Sequence, residues 1–122
     1  TPQAFAEWKQ ACEWLRLNTP EDALVLGPRE SFALKWFAER AEYVSFKDCP
    51  QDAAGILEWN QRLWTIHGWS ESSYQDQSFD LPDTNRLHDE TGITHIITRR
   101  LGPFSEPPVF EHGAWRVYEI GD

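Results

Sequence analysis

Four consecutive apolar residues, Ala23-Leu24-Val25-Leu26, closed by Gly27-Pro28, constrain the fold of this chain more than any other feature. Side chains on a strand alternate between two faces, so an unbroken apolar run this short implies a strand covered on both sides. That is the pattern of a strand inside an α/β sheet, and it is expected at the sheet centre. The preceding segment supplies one cover. Phe5, Trp8, Cys12 and Leu15 recur at helical spacing from a Thr1-Pro2 start, and Asn18 with Pro20 ends the run, giving an amphipathic helix packed on the sheet.

The pattern then repeats. Phe32, Ala33, Trp36 and Phe37 mark a second helix to about Arg40, and Tyr43-Val44-Ser45-Phe46 reads as a second strand parallel to the first. A third helix spans residues 52–67, with Ile56, Leu57, Asn60, Leu63, Trp64 and His67 on one side and Gly68 as its stop. Residues 68–80 are rich in Ser, Gln and Asp with Trp69, Tyr74 and Phe79 interspersed, the composition of an ordered loop pinned by aromatics. Residues 82–91 form a short helix ended by Gly92, and residues 93–98 a third parallel strand. After an irregular crossing with three prolines, Val109-Phe110, a His112-Gly113 turn and residues 115–120 make an antiparallel hairpin at the sheet edge. The expectation is one soluble α/β domain over residues 1–122: a Rossmann-like mixed sheet of about five strands, three parallel plus a C-terminal antiparallel hairpin, flanked by about four helices in two or three layers.

Length and charge narrow the function. A chain of 122 residues buries roughly two thirds of its unfolded surface, and seven tryptophans supply a large apolar payload. A formal charge of -9 repels nucleic-acid phosphates and anionic lipid headgroups, so nucleic-acid binding and insertion of this segment into a membrane are not expected. Neither a signal peptide nor a span of about 18 apolar residues is present, and the start at Thr1 without an initiator Met leads to the expectation of a fragment excised from a longer protein. Cys12 and Cys49 are too few for a disulfide framework and do not fix the redox compartment.

Local motifs for chemistry are missing. Gly27-Pro28-Arg29-Glu30 lacks both the glycine triad of a dinucleotide site and the Gly-Lys-Ser/Thr ending of a phosphate loop, and reads as a strand-to-helix turn. Histidines at 67, 88, 95 and 112 never fall at metal-ligand spacing, and no serine has a nucleophile-elbow context, so no catalytic residue, metal or cofactor is assigned. One juxtaposition is sharper. The residues just past the three parallel strands are Arg29, Lys47 with Asp48, and Arg99 with Arg100, at the edge where open α/β sheets bind ligands. Helix N-termini near Glu30 and Asp52 point at the same place, which makes a site for an anion such as a phosphate-bearing or sugar-phosphate ligand. The competing reading is that these are solvated loop charges paired with Glu30, Asp48 and Glu106. A second candidate is a platform of Trp59, Trp69 and Tyr74 for stacking sugars or a partner protein, against which stands ordinary use of aromatics in the core.

Several runs carry a family resemblance. Trp14-Leu15-Arg16-Leu17-Asn18-Thr19-Pro20-Glu21-Asp22-Ala23-Leu24-Val25-Leu26 resembles the segment that opens the soluble C-terminal domain of bacterial polytopic membrane proteins related to the oligosaccharyltransferase-like (GT-C type) glycosyltransferases. Residues 38–48, 55–63 and 109–118 resemble a strand, a helix and the closing hairpin of the same domain. The resemblance implies a membrane-tethered, extracytoplasmic (periplasmic-side) accessory domain whose partner is the transmembrane portion of its own chain. In such proteins catalysis lies in the membrane portion, so no catalytic residue carries over, and the Trp-Trp-Asp acceptor motif is absent here. The alternatives are a free-standing α/β enzyme or small-molecule binder using the same sheet edge, and a protein-interaction module using Trp59 and Trp69.

Overall fold

The structure, a computed structural model, describes residues 2–29 and 34–121. In chain order the elements are α1 (Pro2–Asn18), β1 (Leu24–Leu26), α2 (Leu34–Ala38), β2 (Ala41–Glu42), α3 (Ala53–Ser73), a 3-10 turn (Tyr74–Asp76), α4 (Leu81–Thr91), β3 (His95–Thr98), β4 (Phe110–His112) and β5 (Trp115–Glu119). The strands form a mixed sheet of order β2-β1-β3-β5-β4. β1 is parallel to β2 on one side and β3 on the other, while β5 is antiparallel to β3 and closes a hairpin with β4. This is the expected α/β fold, with three parallel strands, an antiparallel hairpin and four helices.

Alternation along each strand builds two cores. Val25, Ile97, Trp115 and Val117 face Trp8, Ala11, Cys12 and Leu15 of α1 together with Leu34 and Ala38 of α2. Leu26, Ile96 and Tyr118 face the other way, onto Ile66 and Trp69 of α3 and Leu87 of α4. The result is three layers, helices on both faces of a sheet whose strands are only a few residues long. Trp8 and Trp115 anchor the α1 side with ring centroids 4.7 Å apart. Burial pushes the Cys12 thiol up to about 12, so it acts there as a small hydrophobe, and both cysteines are free. No helix of the described residues is long and apolar enough to cross a membrane.

Helix ends follow local chemistry. At α4 the Asp80 side chain takes a backbone N–H of the first turn while Asp83 accepts from the Asp80 N–H at 2.9 Å, a reciprocal capping box. Gly92 ends α4 with φ 81, a left-handed conformation that only glycine adopts without strain, and its N–H donates to the His88 carbonyl at 2.8 Å.

Several expectations are corrected. β3, not β1, is the middle strand: all four of its residues are buried, and β5 adds beyond it. β2 comes earlier, at Ala41–Glu42 instead of residues 43–46, although the Tyr43 N–H still extends the ladder to the Val25 carbonyl at 2.9 Å. α2 is short and turns Trp36 to solvent, 78% exposed, while Phe32 and Ala33 lie outside the described residues.

The largest correction concerns α3. Gly68 does not stop it, and only residues 77–80 of the expected 68–80 loop are irregular, since the helix continues to Ser73 and into the 3-10 turn. A helical glycine costs only about 1 kcal/mol relative to alanine, and the extra turn buries Trp69 and Ser73 in return. The buried face is also rotated from the expected one: Ile66, Trp69 and Ser73 pack inward with Trp59 and Leu63 partly covered, whereas Ile56, Leu57, Trp64, Asn60 and His67 are exposed. Alternate large apolar residues on both sides of this helix leave its periodicity ambiguous. Nothing lies within 4 Å of a Cβ added at Gly68. Gly68→Ala is therefore expected to raise stability by roughly 0.5–1 kcal/mol in a urea melt; a loss of stability would restore the stop.

Candidate functional site

Beyond the carboxyl ends of β1 and β3 a cavity of ≈ 380 Å³ opens between the β1 turn, the loop after β3 and the last turns of α3. Its floor is apolar, formed by Leu26, Ile66, Trp69, Ile96 and Leu101, with Phe46 at one side. Arg29, Arg99 and Arg100 line it from the sheet, and His67, Ser70 and Glu71 from the helix.

Each wall has a local cause. Gly27 follows β1 without a left-handed backbone, so what it supplies is room: a Cβ there would sit 3.2 Å from Glu42 Oε2 and 3.4 Å from Leu34 Cδ2. Arg29 then emerges beside Phe46, its guanidinium 5.9 Å from the ring centroid. After β3 the Thr98 hydroxyl accepts from the backbone N–H groups of Arg100 at 3.2 Å and Leu101 at 3.0 Å, which bends the chain and presents Arg100 outward. Arg99 sits on the other side of the sheet plane, with its guanidinium 5.5 Å from the Trp115 ring centroid. The segment after β2 is tied to α3 by Trp59 Nε1, which donates to the Ser45 carbonyl at 2.6 Å, and by Arg62, which donates to the Tyr43 carbonyl at 2.6 Å. On α3, His67 Nε2 and Glu71 Oε1 are 3.9 Å apart.

Of the residues named from sequence, the fold brings Arg29 and Arg100 to one cavity, while Arg99 borders it but turns its guanidinium to the Trp115 side. Lys47 and Asp48 do not line it; Asp48 folds back, its N–H and carboxylate each 3.2 Å from the Ser45 hydroxyl. Two helix N-termini are also expected here. The one near Glu30 falls outside the described residues, and that of α3 is occupied by the Asp52 carboxylate, which accepts from Gly55 N–H at 2.9 Å.

The aromatic platform is not assembled. Trp69 is 3% exposed and donates its Nε1–H to the Asp83 carbonyl at 2.8 Å, Trp59 is half-buried, and Tyr74 alone is exposed, against Phe79. Sequence reasoning missed His67 and Glu71 as wall residues; a helix continued through Gly68 would have found them. Asp76, Asp80 and Asp83 form a carboxylate cluster with atoms within 4.8 Å, but Asp80 and Asp83 cap α4 and Asp83 also meets Arg86 at 3.4 Å.

Residues 6–66, half of the chain, match the family described as Domain of unknown function (DUF6798). The chain belongs to that family. None of the curated proteins and none of the solved structures matches it. The DUF6798 match takes in α1 from its second turn, β1, α2, β2 and the first two thirds of α3, hence Arg29 and Phe46, and stops short of His67 and the two arginines after β3.

Under the Gly27 turn of this DUF6798 domain, Glu42 Oε2 is buried without a hydrogen-bond partner among the described residues. Burial pushes the Glu42 carboxyl above its ordinary range, with Lys35 opposing and Asp48 assisting. A raised folded pKa contributes stability that is fully present below the unfolded value and is lost as pH rises through the folded one. Glu42→Gln removes the charge, so the variant is expected to be more stable than the parent at pH 7 by on the order of 1 kcal/mol, a gap that closes toward about pH 4. Urea midpoints at the two pH values read this directly, and a pH-independent difference contradicts it.

Proposed function

We propose that this DUF6798 domain is a non-catalytic binding unit that takes a small anionic ligand with an apolar body into the cavity at the carboxyl ends of β1 and β3. The observation that carries the reading is the convergence of Arg29 and Arg100 on one cavity with an apolar floor, in a chain of formal charge -9. An apolar pocket with a few polar groups at its rim is the usual build of a small-molecule site, and the volume is within the range such sites occupy. Guanidinium groups suit phosphate or carboxylate because two parallel N–H donors match two acceptor oxygens. Arg29 and Arg100 hold the anion, Leu26, Ile66 and Ile96 take the apolar body, and Glu71 on the facing wall disfavours ligands whose negative charge extends to both ends. A sugar phosphate or other phosphate-bearing molecule of modest size meets these terms. The domain serves as an extracytoplasmic accessory part of a multi-spanning membrane protein, a reading supported by the likeness of residues 14–26, 38–48, 55–63 and 109–118 to domains of that kind.

Phenyl phosphate is a suitable probe, since it couples a ring to a dianion. It is expected to shift the amide resonances of Arg29, His67, Arg100 and Leu101 saturably, and the double variant Arg29→Ala/Arg100→Ala to weaken binding at least about tenfold, or about 1.4 kcal/mol, with the fold intact. Undiminished affinity in the double variant overturns the anion site. For the parent protein, a hydropathy window over the full reading frame is expected to show several spans of about 20 apolar residues; none would remove the membrane assignment.

A further inference from the structure

The other end of the sheet holds a larger cavity, of ≈ 500 Å³, around the amino ends of β1 and β3 and the carboxyl end of β5. One wall is a column of aromatic rings: Phe104 stacks on Tyr118 at 4.0 Å and on Phe79 at 5.1 Å between centroids, with interplanar angles of 22° and 24°. Its charged lining is of one sign. Asp22, Asp80, Glu106 and Glu119 border it, and no lysine or arginine is among its lining residues. This is the reverse of the arginine-lined cavity at the carboxyl ends, so the two ends of the sheet carry opposite local charge.

Two histidines complete the lining. His95 is 3% exposed, with Nδ1 2.8 Å from the Thr94 hydroxyl and Nε2 3.5 Å from Glu119 Oε2. The Thr94 oxygen also accepts the Leu24 N–H at 3.1 Å, so this group is built into the β1–β3 pairing and its position is fixed by the sheet. Burial holds the His95 imidazole below its ordinary value, with Glu119 opposing, so near neutral pH the ring is uncharged. A neutral His95 leaves the Glu119 charge unneutralised, with Nε2 facing Glu119 and Nδ1 beside the Thr94 hydroxyl, which also reaches the Leu24 carbonyl at 3.2 Å. The Glu119 side chain itself is 67% exposed and open to a ligand. His88 donates its Nδ1–H to the Ile93 carbonyl at 2.8 Å, which fixes the orientation of the ring. Its ring packs so closely on Gly121 that a Cβ there would lie 2.2 Å from the His88 ring.

We propose that this amino-end cavity is a second binding site, taking an organic cation of the amine or guanidine class whose ring or short apolar stem lies along the Phe104–Tyr118 wall. The ammonium group is held by Glu119 and Glu106. The stem gains apolar contact with the aromatic column. Discrimination is by charge: an anion of the same shape meets four carboxylates. The site is independent of the anion cavity, and a domain that holds both presents a cation site and an anion site at opposite ends of one sheet.

Three probes of one shape and different charge test this: benzylamine, benzyl alcohol and benzoate, titrated to about 20 mM against the intact chain by amide chemical-shift mapping. Benzylamine is expected to shift Thr94, His95, Phe104 and Glu119 saturably and at least about tenfold more tightly than the other two. Glu119→Gln/Glu106→Gln, at exposed positions that leave the cores untouched, is expected to bring benzylamine down to the level of benzyl alcohol. Arg29→Ala/Arg100→Ala is expected to leave benzylamine binding unchanged, which separates this site from the anion cavity. Equal binding of benzylamine and benzyl alcohol, insensitivity to the Glu119/Glu106 change in a variant with parental amide dispersion, or no saturable shift with benzylamine overturns the proposal.

Discussion

Strands of three and four residues make too few ladder hydrogen bonds to hold a sheet together alone, so the parallel pairing of β1 with β3 depends on cover from both faces. Val25 and Ile97 lock into the α1–α2 core, and Leu26 and Ile96 into the α3–α4 core. At its amino end the pairing is finished by an exchange between Leu24 and Thr94, in which the Thr94 N–H donates to the Leu24 carbonyl at 2.8 Å and the Thr94 hydroxyl accepts the Leu24 N–H at 3.1 Å. Both cavities flank this pair, one at each end. Their lining residues keep their places because the pair does.

Opposite ends of the pair differ in charge for a simple reason. The carboxyl ends lead into the turns that carry Arg29, Arg99 and Arg100, while the amino ends receive the chain from Asp22 and meet Glu119 as β5 leaves the sheet. In a chain with nearly twice as many acidic as basic side chains, this segregation leaves a positive edge that a uniform distribution would not give. Arg99 shows how the sheet divides even adjacent residues: it goes to the Trp115 side while Arg100 goes outward, since neighbours in a strand-like segment point opposite ways.

Long helices with apolar residues on two sides defeat periodicity as a guide to burial, and α3 is the example. Ile56, Leu57 and Trp64 suggested one face, Ile66, Trp69 and Ser73 take the other, and Trp59 and Leu63 lie between. Trp59 and Trp69 resolve the choice in the structure through their indole N–H groups, which reach the Ser45 and Asp83 carbonyls; a buried indole needs such a partner, and only one rotation of the helix offers both. The same rotation carries His67 and Glu71 to the cavity wall and removes Trp69 from any exposed platform.

The apolar run of β1, the helical spacing of α1, the Gly92 stop and the paired strands of the hairpin are local signals, and the sequence alone determined them together with the α/β class and the arginines past the strand ends. Local signals suffice there because each depends on neighbouring residues or on one covered face. Tertiary structure decided the position of β3 at the centre, the passage of α3 through Gly68, the withdrawal of Lys47 and Asp48 from the site, and the meeting of Thr94, His95 and Glu119 across two strands. Those outcomes depend on strand order and on which of two apolar helix faces wins the competition for burial, and both are set by packing between segments far apart in the chain, where no linear pattern records them.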